Sequence, residues 1–262
     1  MSSIWSAIPV SALLIVVYLY ARGLLRTRGR NPLSGERVGL FTLGILLAAL
    51  ALSPWVEGAA SRSLFAHMVQ HQLLLIAPLP LLSGRMGTGM MLGLDPSFRG
   101  RVATGLRRIW PVVETLAKPA VAWAILVVTI AVWHVPALFD ATLESEILHG
   151  MEHLWFFTAA ILYWFSLTGL GRKSQIGYLP VLASVFGLAL FGTALGALLT
   201  FANNPWFPEH AARASAAGRD WLADQQLAGV IMWLPGGVLL LATFLVVGRR
   251  WLGSLESAGR QP

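Results

Sequence analysis

The 262-residue sequence contains no cysteine. That excludes disulfides, thiolate zinc sites, iron–sulfur clusters and a cysteine nucleophile. Any metal must be held by imidazole, carboxylate or thioether. Charge is scarce as well: 12% of residues are Asp, Glu, Lys or Arg, where a water-soluble chain carries about 25%. With 56% AVILMFWYC and a mean hydropathy of +0.68, the composition excludes an ordinary soluble domain and predicts an all-α, multi-pass membrane protein. The net charge is +7 and the pI about 10.8. The basic residues sit between apolar runs instead of forming one patch, so the charge is read as topology and no nucleic-acid partner is expected.

A bilayer core about 30 Å thick takes about 20 apolar helical residues. That ruler predicts seven spans, near residues 4–21, 38–56, 64–83, 119–137, 147–168, 178–201 and 222–248, in a single domain covering 1–262. The breakers agree: Asn31-Pro32, Arg62, the polar stretch from Gly84 to Lys118, Phe139-Asp140, Gly169 to Gly177, and Asn203-Asn204-Pro205. The first span has no basic residue before it and is long for a signal-peptide core, so it is expected to be retained.

Sixteen Lys and Arg fall in one set of alternate loops, among them Arg22, Arg26, Arg28, Arg30, Arg85, Lys118, Arg172, Lys173, Arg249 and Arg260. The other set holds only Arg62, Arg213 and Arg219. By the positive-inside rule the N-terminus is outside and the C-terminus cytoplasmic. Eight of the twelve acids lie on the outer side. In the longest inner loop Phe98, Val102, Leu106, Ile109, Trp110 and Val113 recur at helical spacing, with Arg99, Arg101, Arg107 and Arg108 largely elsewhere. This predicts one cytoplasmic interfacial helix on the inner headgroups, with membrane lipids as its partner.

All six histidines then lie on the outer side. His67 and His71 occupy i and i+4 of the third span, and His149 and His153 repeat the device in the fifth, so each pair shares a face. His134, before Pro136, closes the fourth span. One histidine at an interface is ordinarily a hydrogen-bonded bystander; two HxxxH pairs at one depth favour a metal or haem site. His210 is left out of the expected site. At 100° per residue Met68 lies about 60° from His71 and is a candidate soft ligand, whereas Met151 lies nearly opposite the His149–His153 face and is assigned to core packing. Met232 is also assigned to packing, and Met86, Met90 and Met91 to interfacial packing. Asp224, opening the last span, is a candidate ligand or an acceptor that orients an imidazole. The expected metal set is therefore His67, Met68, His71, His134, His149, His153 and Asp224. Imidazole suits zinc, copper, iron and nickel, while thioether and an oxidising compartment favour copper.

The strings His67 to His71, Trp133-His134-Val135-Pro136 with Asp140, His149 to His153 with Glu152, and Asp224-Gln225-Gln226 running through Met232-Trp233-Leu234-Pro235-Gly236-Gly237 resemble the CtaG family of bacterial cytochrome c oxidase assembly factors. The loop Pro205 to His210 departs from that pattern, with His210 where tyrosine is expected. The resemblance implies a seven-span plasma-membrane protein that helps metallate the oxidase copper centre. Its site would face the periplasm or exterior, its cofactor would be copper, and its partner an oxidase subunit. On this reading the protein is no enzyme but hands on its ion by ligand exchange. Two other classes compete: a seven-span zinc hydrolase of lipid amides, in which Glu152 or Asp224 is the acid or base, and a b-type cytochrome.

Overall fold

A computed structural model describes residues 4–27, 33–168 and 177–258. Of the described residues 88% are helical and none is in a strand. In order the helices are α1 (Ile4–Arg26), α2 (Gly35–Ala51), α3 (Pro54–Ala60), α4 (Leu64–Ile76), α5 (Pro78–Ser83), α6 (Met86–Gly93) and α7 (Pro96–Leu116). There follow α8 (Pro119–Trp133), α9 (Pro136–Glu144), α10 (Glu146–Thr168), α11 (Tyr178–Phe201), α12 (Pro208–Ala216) and α13 (Trp221–Ala258). Proline at the first position starts six of them, α3, α5, α7, α8, α9 and α12, where its missing N–H costs nothing.

Among the described residues four stretches are long and apolar enough to cross a membrane: Ile8–Arg26, Leu64–Ser83, Tyr178–Phe201 and Trp221–Ser254. The number rises to six if the bent pairs α2 with α3 (48°) and α7 with α8 (80°) each count as one span. The expected boundaries change accordingly. The 38–56 span is broken at Leu52-Ser53, where Pro54 begins a new helix and the Ser53 hydroxyl accepts from Val56 N–H at 3.3 Å. The 119–137 span stops at Trp133, because Pro136 restarts the chain as α9. The 147–168 span is a continuous helix, α10, but Glu146, His149, Glu152 and His153 load its first half with polarity. The first and last helices run past their expected ends, to Arg26 and Ala258. Arg28, Arg30, Arg172, Lys173 and Arg260, which contribute to the orientation argument, lie outside the described residues.

Helices α4 and α10 occupy the centre, packed on each other and flanked by α2, α3, α5, α8 and α13, while α11 lies along α13. Gly196 and Gly229 bring these last two helices together: a Cβ at Gly229 would meet Thr200 Oγ1 and stand 2.5 Å from the Gly196 carbonyl oxygen. The C-terminal half of α1 rests on α6, and nearby Tyr20 donates from its hydroxyl to the Gly84 carbonyl at 2.9 Å and stacks on Phe41 at 3.6 Å. Met86 packs against this same cluster of Tyr20, Leu33, Phe41 and Leu81. Large apolar side chains such as Leu14, Leu46, Leu154, Leu190 and Leu241 point outward, as lipid-facing residues do. Met151, at 41% exposure, is among the outward-facing residues and not in the core as its sequence position suggested. Helix α7 has no buried residue, and its stripe of Phe98, Leu106 and Ile109 is exposed.

Candidate metal centre

Polarity is concentrated at one end of the bundle, where α4, α8, α9, α10, α12 and the start of α13 meet. His67, Gln70, His71, His134, Glu152, His153, His210, Asp224 and Gln225 are all buried there. Burying so many polar groups carries a large desolvation cost unless each gains a partner.

The HxxxH spacing of α4 places His67 and His71 one turn apart, with ring centroids 4.4 Å from each other. From α10, Glu152 reaches between them. Its Oε2 lies 3.7 Å from His67 Nε2 and its Oε1 3.5 Å from His71 Nε2, with all three side chains at 3% exposure or less. These separations exceed a normal hydrogen bond. Both nitrogens of each ring and both Glu152 oxygens are buried without a hydrogen-bond partner. A tetrahedral ion with ligand bonds of about 2.1 Å separates its ligands by about 3.4 Å. The Glu152 contacts are near that edge length, and the three residues offer ligand atoms within 4.8 Å of one another. The unpartnered donors and acceptors therefore fit a shared ion.

The remaining imidazoles surround this triad. His134 Nδ1 donates to the Ile130 carbonyl at 2.8 Å, which leaves its Nε2 lone pair buried and unpartnered, with its ring 6.5 Å from that of His71. His149 and His153 stand 4.2 Å apart, and their rings lie 5.4 Å from His67 and 5.9 Å from His71 respectively. The sequence-predicted histidines thus come together with no helix between them. Glu57 on α3 accepts from His149 Nδ1 at 2.9 Å and from Gln70 Nε2 at 2.9 Å, and Gln70 Nε2 also donates to the Ala51 carbonyl at 2.8 Å. This relay fixes α3 and the bend after α2 against α4 and α10.

Met68 is 1% exposed but packs with Leu64, Phe139, Leu199, Phe207 and Met232. Together with His71, His134 and Met232 it lines a cavity of about 90 Å³ that continues below the histidines, between α4, α8, α10, α11 and α13. Asp224 is spent elsewhere. One oxygen accepts from the Ser63 hydroxyl and the other from the Leu64 N–H, each at 2.6 Å. It anchors the first turn of the helix that carries His67 and His71, and no imidazole is oriented by it. Gln225 beside it accepts from Trp206 N–H at 2.8 Å and ties down the loop before α12.

Two residues left out of the expected set belong beside it. Glu152 is the carboxylate between His67 and His71. His210, on α12, is 2% exposed with its ring 5.3 Å from His67 and 5.2 Å from Phe139. Burial, followed by the proximity of His67 and Arg213, pushes the His210 pKa down to about 2, so its ring is neutral. A carboxylate beside a histidine pair on a helix of the bundle is the signal that points to Glu152. Nothing in the local sequence marks His210, whose position depends on α12 folding over the cluster.

An apolar exterior around a polar core at one end defines a polytopic helical membrane protein with a buried histidine–carboxylate centre. Residues 16–254 match the profile of the family Caa3_CtaG, cytochrome c oxidase caa3 assembly factor, and the chain belongs to that family. Membership carries an assembly-factor role and an association with cytochrome c oxidase. No curated protein and no solved structure matches the chain.

Proposed function

We propose that this protein holds a copper ion between His67, His71 and Glu152 at the outer face of the bacterial plasma membrane and passes it to an oxidase subunit. The observation that carries the reading is the buried triad without internal hydrogen bonds, in a chain of an oxidase assembly family. His134 Nε2 is a further donor with a free lone pair, on a ring 6.5 Å from that of His71. When bound, the ion is cargo: each ligand bond that breaks on the chain is replaced by one on the recipient. The chain's own residues bind it, exclude water and hold the histidine rings, with Glu57 fixing His149 and the Ile130 carbonyl fixing His134.

Seven spans with the N-terminus outside fit this role. On this reading the two broken spans count as crossings and α10 crosses despite its polar first half, and the sixteen-to-three division of basic residues supports a histidine end on the outside. The zinc hydrolase reading needs a carboxylate free to act as acid or base. Asp224 is engaged in hydrogen bonds with Ser63 and Leu64, and Glu152 is itself a vertex of the triad. This favours a non-enzymatic role.

The test is the oxidase of a strain carrying His67→Ala/His71→Ala. Its polypeptide is made and inserted but lacks copper, and added copper partly restores activity by mass action. An oxidase with full copper content in that strain under copper limitation refutes the proposal. A C-terminal reporter that reads as exterior refutes the orientation.

A further inference from the structure

We infer that Glu57, His149 and His153 form a second, outer metal site through which the ion reaches the buried triad. The inference rests on the copper-handling reading and assigns that site its route of loading.

These three residues offer ligand atoms within 4.8 Å of one another, as the buried triad does, and they share no residue with it. They differ from it in access. The Glu57 side chain is 48% exposed and His149 16%, whereas Glu152 is fully buried. His153, buried like the inner triad, has an Nε2 without a partner, and so does His149. Exposure thus falls in one direction, from a carboxylate that water reaches to a carboxylate that it does not. A carboxylate at the mouth attracts a cation and exchanges ligands readily, while a buried set with two imidazoles retains it.

His149 stands between the two groups, with Glu57 Oε1 2.9 Å from its Nδ1 on one side and the His67 ring 5.4 Å away on the other. His153 has the corresponding place beside His71, at 5.9 Å. An ion held by Glu57, His149 and His153 moves inward by three successive exchanges, its bonds to these residues giving way in turn to bonds to His67, His71 and Glu152. One metal–ligand bond forms as each one breaks, the oxidation state is unchanged, and the carboxylate charge given up at Glu57 is regained at Glu152. Gln70 holds the second Glu57 oxygen from α4, so the outer carboxylate is anchored to the helix that carries the inner histidines.

The experiment is titration and stopped-flow loading of the purified full-length protein in detergent, with Cu(I) supplied from a chromophoric chelator. The wild type binds two ions per chain. Glu57→Gln, which keeps the size and hydrogen-bonding capacity of the side chain, and His153→Ala each retain the inner ion but load it at least tenfold more slowly. His67→Ala/His71→Ala keeps a single ion, bound at the wild-type rate. One ion in the wild type, with loading unchanged in Glu57→Gln, overturns the outer site and leaves the inner one standing. No Cu(I) bound by the folded wild type overturns both readings.

Discussion

Replacing Asp224 separates anchoring from ligation. Its two oxygens take the Ser63 hydroxyl and the Leu64 N–H at 2.6 Å each, at a position only 9% exposed. Asp224→Ala strands two buried donors. At about 1–3 kcal/mol for each, the loss of stability is about 2–6 kcal/mol. A further 0.3–1 kcal/mol, roughly, comes from removing a carboxylate at a helix N-terminus. Asp224→Asn behaves differently, because its carbonyl oxygen still accepts from Leu64 while its amide donates to the Ser63 hydroxyl, which can rotate. Two bonds to a carboxylate become two neutral ones, at a cost of about 1 kcal/mol. Thermal unfolding in detergent, followed through the eleven tryptophans, measures both variants without added metal. The alanine variant is expected to unfold on the order of 10 °C lower. Metal stoichiometry of the asparagine variant is expected to equal that of the wild type. An alanine variant as stable as the wild type, or an asparagine variant that keeps its stability and loses its metal, refutes the anchoring role.

Gly229→Ala places a methyl group against Thr200 Oγ1 and the Gly196 carbonyl and lowers stability by about 1–3 kcal/mol, whereas Gly39→Ala, with no atom within 4 Å, does not destabilise; paired unfolding curves check this. Arg26 first, and then Arg22, hold the exposed Asp95 carboxyl below its usual pKa through contacts of 2.7 and 2.9 Å. A carboxyl lowered by folding stabilises above its unfolded value and loses that contribution as pH falls through its folded value. Asp95→Asn is therefore more sensitive to proteolysis between α6 and α7 at neutral pH, and the difference from the wild type vanishes in acid. Because the chain has no cysteine, one can be introduced at Ile109 or at Arg108 on α7 and labelled with an environment-sensitive dye. If α7 lies on anionic headgroups, the label at Ile109 reads lipid and that at Arg108 reads water; equal signals contradict an interfacial helix.

The parts of this molecule that obey a local period are legible in its sequence. The 100° step of a helix places His67 with His71 and His149 with His153, and it correctly turns Met151 away from both pairs. The prolines that break the spans are visible as well, but whether Pro54 and Pro136 end a crossing or merely bend it depends on neighbouring helices. Glu152 is within reach of the same angular argument, since it lies three residues after His149 and so about 60° from it. Its place between His67 and His71 depends on how α10 packs against α4. Asp224 and His210 are different. The partners of Asp224 are 160 and 161 residues away, and His210 reaches His67 only once α12 is laid across the cluster. Contacts of that kind are set by packing, and no spacing in the chain encodes them.

The most direct measurement is the metal content of the purified full-length protein from copper-replete cells, wild type beside Glu152→Gln. Glutamine preserves the shape of the side chain that lies 3.7 and 3.5 Å from His67 and His71 and removes its negative charge. The wild type is expected to carry copper, and Glu152→Gln to contain one copper per chain fewer while unfolding at the same temperature without metal. Stoichiometric zinc in the wild type together with lipid amidase activity, or equal copper in the two proteins, contradicts the account.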